Sequence, residues 1–230
     1  VDFDPTDYGL REIRLAIWSG FLFVSFDLAG PNIETYVGDL GDHLASYRLE
    51  DMVTVKREEF VVETNWKSYV ENSMESFHHA TVHKNSVYNP RIKKRNVIGD
   101  PGHYVLVQSD SGGETRALLP GDTGFPNIRT LKGPAARGSQ YLLIYPATMI
   151  GCDVDSMWFK QMVPEGPDRV RNIIAICFPR ETVERKDFDR VVPSYFSRFD
   201  IAIAEEHPIP RQPYQAPGPE PGTRRAGEGA

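Results

Sequence analysis

Apolar and polar positions along the chain change period several times, and each change marks an element. Residues 11–26, REIRLAIWSGFLFVSF, read as two β runs joined at Ser19-Gly20, a hairpin signal. After Pro31, Ile33, Tyr36, Val37, Leu40 and Leu44 recur at helical spacing, with two glycines weakening the pattern. MVTVKREEFVVET (52–64) alternates as one long strand interrupted by a charged patch. Residues 65–77 predict a helix with Trp66, Tyr69, Val70 and Met74 on one side, and residues 84–101 read as loop. Short β runs follow: YVLVQS, TRALLP, QYLLIYP, TMIGCDV, SMWFKQMVP and VRNIIAICFP, the last two split by the turn EGPDR at 165–169. Their linkers are too short for crossover helices, which predicts an antiparallel meander. From Glu181 the period returns to helical in ETVERKDFDRVV and PSYFSRFDIAIAEEH, a broken helix with Pro193 at a first-turn position. Beyond Pro208 proline, glycine and charge dominate, predicting disorder at least after Ala216. The sum is an α+β domain, a large antiparallel sheet packed on a long C-terminal helix.

Composition narrows the function classes. The chain has 230 residues, 40% of them hydrophobic, enough for a sizeable core. A net charge of −6 argues against nucleic-acid binding, and RIKKR at 91–95 reads as a solvated loop or a docking patch. Cys152 and Cys177 lie in apolar runs and in no ligand-spaced pattern, so they read as small core residues in a reducing, cytoplasmic setting. No run is long and apolar enough to span a membrane.

The chemistry concentrates in ESFHHATVH, residues 75–83, which holds three of the six histidines beside a glutamate. Imidazole and carboxylate donors together suit iron, zinc or manganese. On a regular helix His79 and His83, four apart, lie about 40° round from each other and form the natural pair. His78 and His83 are five apart, about 140° round, and share a metal only if the helix unwinds between them.

The wider stretch NWKSYVENSMESFHHATVH, residues 65–83, resembles the mononuclear iron motif of Rieske non-heme iron oxygenase α subunits. The matching positions are Asn65, Trp66, Lys67, Glu71, Asn72, Glu75, His78 and His83. The resemblance implies the helix-grip fold, with His78 rather than His79 as the ligand beside His83. It also implies that Glu75 links the iron site, across a subunit boundary, to a histidine of a neighbouring Rieske cluster, with Asn72 near the iron. A facial triad further needs a carboxylate from the C-terminal helix. Glu206 sits nearest the expected place, Glu205 and Asp200 are the alternatives, and strict register would put His207 there.

The implied reaction is O₂ activation at a mononuclear Fe(II), hydroxylating, dihydroxylating or dealkylating an organic, aromatic substrate. Electrons would come from NAD(P)H through a reductase and a ferredoxin, in a homotrimer or with β subunits. The C-x-H and C-x-x-H motifs of a [2Fe-2S] Rieske cluster are absent from this sequence. Residues 1–27 therefore read as the last strands of a Rieske domain, 28–207 as the catalytic iron domain of a longer protein, and 208–230 as a tail. Two other classes compete: a metal-free helix-grip ligand-binding module and a zinc hydrolase. Neither accounts for Asn65-Trp66-Lys67 and Glu71-Asn72 ahead of the histidines.

Overall fold

A computed structural model describes residues 9–97 and 102–206. The opening hairpin pairs β1 (Arg14–Trp18) with β2 (Phe21–Ser25). Ser19 and Gly20 both take positive φ, 49° and 84°, the two-residue turn that suits the twist of paired strands. The helical pattern over 33–44 is realised as two short helices, α1 (Ile33–Val37) and α2 (Leu40–Leu44). Gly38 separates them at φ 58°, ψ −131°, a conformation that glycine tolerates and that stops α1.

The main sheet has seven strands among the described residues, ordered β3-β9-β8-β7-β6-β5-β4. They are β3 (Met52–Val62), β4 (Lys93–Val97), β5 (Tyr104–Asp110), β6 (Gln140–Ile144), β7 (Thr148–Cys152), β8 (Met157–Gly166) and β9 (Arg169–Pro179). All pairings are antiparallel, so β4 to β9 form the expected meander and β3 closes its far side against β9. The unbroken apolar run of β9 is explained by burial on both faces. Ile174, Ile176 and Phe178 face the C-terminal helix, while Ala175 and Cys177 join the core beneath α1 and α2. Cys152 and Cys177 are both buried and unpaired as disulfides, as their surroundings predicted.

Three expectations are corrected. Lys93–Val97 is a strand, not loop; the basic run enters the sheet as its last strand, hydrogen-bonded among the described residues to β5 alone. TRALLP, residues 115–120, forms no strand, because its amides are taken by side chains instead: Arg116 N–H donates to Asp153 Oδ1 (3.3 Å) and Ala117 N–H to Thr115 Oγ1 (3.2 Å). Pro193 lies inside a helix rather than in its first turn, since α5 runs unbroken from Phe188 to Glu206 after the short α4 (Arg180–Val183). The break falls earlier, between α4 and α5. Pro193 and Asp189 are both exposed, so the carbonyl that loses its partner there faces water.

Helix α5 carries Phe188, Val191, Val192, Tyr195 and Phe199 on one stripe, and the sheet wraps that stripe together with α3 (Trp66–Met74). No described helix is long and apolar enough to cross a membrane. The tail expected to be disordered, 208–230, lies outside the described residues.

Candidate metal centre and its cavity

Asn65 starts the local structure that builds the site. Its side-chain oxygen accepts the Lys67 N–H at 3.0 Å as the N-cap of α3, and its amide donates to Pro167 O at 2.6 Å in the β8–β9 turn. The motif's first residue is thus a cap and a tether. The helix then stops at Met74, short of the expected Phe77. Glu75 takes extended backbone angles, and its carboxylate accepts the Phe77 N–H and, more weakly, the His78 N–H (3.4 Å). Those bonds compete with continuing helix, and the chain turns into a short 3₁₀ segment, His78–Ala80. The regular helix on which His79 and His83 would pair is therefore absent.

With the helix unwound, all three imidazoles converge. Ring centres lie 5.1 Å apart for His78–His83, 5.8 Å for His79–His83 and 4.6 Å for His78–His79. Two carboxylates hold two of these rings. His78 Nδ1 hydrogen-bonds Glu75 Oε1, and His83 Nδ1 lies 3.1 Å from Glu205 Oε2. An ionised carboxylate only accepts, so each bond places the proton on Nδ1 and makes Nε2 the acceptor nitrogen of the ring. Burial pushes both carboxyls up. Hydrogen bonds outweigh it and hold both below the usual range: from His78 and the Phe77 amide for Glu75, from Ser86 and His83 for Glu205.

Glu205 comes from the end of α5, and Ser86, which the sequence did not single out, donates to the same Oε2. Its Oε1 is buried and finds no hydrogen-bond partner among the described residues. A buried anion with an orphaned oxygen beside imidazoles is a donor set that a divalent cation would complete. Asp200 is paired with Lys56, its Oδ1 3.0 Å from Nζ, and does not line the cavity that the histidines face. The side chains of Glu206 and His207 lie outside those described. Asn72 is half-buried, and Glu71 and Ser73 line the cavity wall while Asn72 does not. No three His, Cys, Asp or Glu side chains among the described residues already face a common point as a ready ligand group.

The histidines open onto a cavity of about 960 Å³ between the sheet, α3 and α5. Phe60, Tyr69, Tyr141, Trp158 and Phe199 supply aromatic wall, and Lys160 and Arg198 add charge.

A sheet gripping a C-terminal helix, with carboxylate-held histidines at the cavity between them, defines an α+β domain that presents imidazole donors to a largely apolar cavity. The family model for the ring hydroxylating alpha subunit (catalytic domain) matches residues 49–206, and the chain belongs to that family. The glycine betaine monooxygenase oxygenase subunit of Chromohalobacter salexigens is 34% identical over 77 residues, 34% of this chain and 17% of that one. The chloroplastic choline monooxygenase of Atriplex hortensis is 22% identical over 194 residues, 80% of this chain and 40% of that one. A solved quaternary ammonium Rieske monooxygenase shares the fold at a TM-score of 0.64 and 17% identity, over 89% of this chain and 54% of its own. The chain thus spans half or less of the length of these relatives, or little more.

Proposed function

We propose that this chain is the catalytic part of an oxygenase that inserts oxygen from O₂ into an organic substrate. His78 and His83 would hold a single Fe(II) through Nε2, with Glu206 as the carboxylate ligand. Bound there, the iron would supply O₂ activation, leaving open positions on one face. The chain's own residues prepare that chemistry. Glu75 and Glu205 fix the ring orientation and tautomer of His78 and His83 respectively. The aromatic walls exclude water and hold the substrate's body against the open face.

The observation that carries this reading is the pair of carboxylate–imidazole bonds, Glu75 to His78 and Glu205 to His83, at one end of the cavity. The family match supports it over a zinc hydrolase or a metal-free binding module. Glu75 keeps about a third of its side chain exposed while engaging His78. It is therefore accessible to a histidine of a neighbouring subunit, from which Rieske-cluster electrons, delivered through a reductase and ferredoxin, would arrive.

The test is iron content of the full-length protein and of single variants. His78→Ala and His83→Ala should lose bound iron, and His79→Ala should keep it. Equal loss from His78→Ala and His79→Ala, or loss from His79→Ala alone, would overturn the assignment.

A further inference from the structure

Helix α5 breaks its own apolar stripe once. Arg198 stands three residues after Tyr195 and beside Phe199, where the period calls for an apolar side chain, and it is only 5% exposed. It lines the cavity that contains the histidines. Its guanidinium lies over the Phe199 ring, 5.2 Å from the centroid, and its Nε finds no hydrogen-bond partner among the described residues. The carboxylates acting on it electrostatically are engaged elsewhere. Asp153 accepts from Ser139 and from the Arg116 amide, and Glu205 from His83 and Ser86. A buried guanidinium without a paired carboxylate is unfavourable unless something else supplies the acceptor.

A second cation shares the space. Lys160, 8% exposed, also lines the cavity, with Nζ 3.0 Å from Ser73 Oγ and 4.6 Å from the Tyr69 ring centre. The acidic wall residues are Glu71 and Glu75, and Glu75 is already bonded to His78. The rest of the wall is largely apolar and aromatic, including Phe60, Tyr141 and Trp158.

We propose that the cavity takes an organic anion: a carboxylate bound by Arg198, with Lys160 adding charge, on a flat aromatic body lying against the aromatic walls. This rests on the reading of the cavity as the substrate site of an oxygenase. A guanidinium fork matches a carboxylate with two parallel hydrogen bonds, which the ligand alone would complete. A quaternary ammonium group, the class named for the solved relative, fits this cavity poorly. Such a cation would share the cavity with two cations of the protein, Arg198 and Lys160, which repel it and already cover the faces of Phe199 and Tyr69.

Three probes with one aromatic body and different charge test this: benzoate, benzamide and benzyltrimethylammonium. Each is titrated into the full-length protein, iron-loaded and metal-stripped, and followed by tryptophan fluorescence, since Trp66 and Trp158 line the cavity. Benzoate should bind at least about tenfold more tightly than the other two in both metal states. Arg198→Gln should lose about tenfold or more of the benzoate affinity while leaving benzamide unchanged, and Arg198→Lys should fall between. Equal binding of benzoate and benzamide, preference for the cation, or a benzoate preference seen only with iron bound would each overturn the proposal. So would an Arg198→Gln protein that binds benzoate as before. If that variant does not fold, the probe series on the unaltered protein decides. Because the titrations read no turnover, selective benzoate binding in a protein that fails the iron-content test above would sink the oxygenase reading and leave this one standing. O₂-consuming turnover with preference for the cationic probe would do the reverse.

Discussion

His83 and Glu205, 122 residues apart in the chain, meet with Nδ1 3.1 Å from Oε2, and this contact joins the end of α5 to the histidine loop. It mirrors the bond between His78 and Glu75 on the other ring. On the proposed reading Glu206 is the carboxylate ligand, while Glu205, whose Oε1 has no partner among the described residues and makes it the alternative ligand, orients His83 through Oε2. Partners of that kind change metal affinity by about 10–100-fold. Glu205→Ala should therefore weaken iron binding by about that factor without abolishing it. Glu206→Ala should remove stoichiometric iron, and Asp200→Asn, altering a residue paired with Lys56, should leave it intact. Iron titrations of the three variants check this. Complete loss in Glu205→Ala with retention in Glu206→Ala would exchange the two roles.

Asn65 is exposed, yet it closes two gaps at once, capping α3 and binding Pro167 O. Removing an Asn cap costs about 0.5–2 kcal/mol, and a lost hydrogen bond about 1 kcal/mol more. Asn65→Ala should lower unfolding stability by about 1–3 kcal/mol in urea titration, with the slope unchanged and iron still bound. A drop in iron content at unchanged stability would mean that this residue serves the metal site directly.

Where the fold was legible in the sequence, side-chain period and backbone partners agreed. The hairpin turn, the β7–β9 meander and the apolar stripe of α5 all follow from local pattern. Two of the misses share a physical cause, a side chain taking over a backbone role. Glu75 ends α3 by accepting the amides that helix would use, and Thr115 and Asp153 take the amides of the stretch that reads as a strand. The basic run that forms β4 carries no apolar alternation, and only its pairing with β5 reveals it. At the site, local geometry favoured His79 with His83 and the motif beginning at Asn65 pointed to His78, while the unwound chain brings all three rings together. Ser86 had no signal in local motif and Arg198 showed only as a break in the α5 stripe, and the meaning of both depends on what α5 faces across the cavity.

Gly151 in β7 shows how tightly the cavity wall is set. A methyl group there would lie 2.3–2.5 Å from the indole atoms of Trp158, its cross-strand partner. The ring lines the cavity and stands edge-on to Phe199, so it cannot retreat without disturbing the substrate wall. Overpacking of this kind costs about 1–3 kcal/mol. Gly151→Ala should lower the melting temperature and alter tryptophan fluorescence while leaving iron content unchanged. An unchanged emission spectrum would show that the backbone, rather than Trp158, had yielded.

Among the described residues, Asp155 is a fully buried carboxyl shifted into the mildly acidic range, which gives the fold a pH dependence separate from the histidine cluster. Burial pushes its pKa from 3.8 up to about 6, against hydrogen bonds from Tyr195 (2.6 Å), Thr115 (2.7 Å) and Ser156 (3.0 Å) that favour the anion. A folded-state pKa above the unfolded one means that the native state holds the proton more tightly. The stabilisation is complete below about pH 4 and is lost as pH rises through about 6. A shift of about two units corresponds to roughly 3 kcal/mol. Asp155→Asn keeps the shape and cannot ionise. Its stability relative to the unaltered protein should therefore improve by roughly 3 kcal/mol between pH 4 and pH 7, most of the change falling between about 4 and 6. Urea unfolding of both proteins across that range measures the difference. Parallel curves would show that Asp155 stays ionised throughout, held by Tyr195 and Thr115 more strongly than burial opposes them.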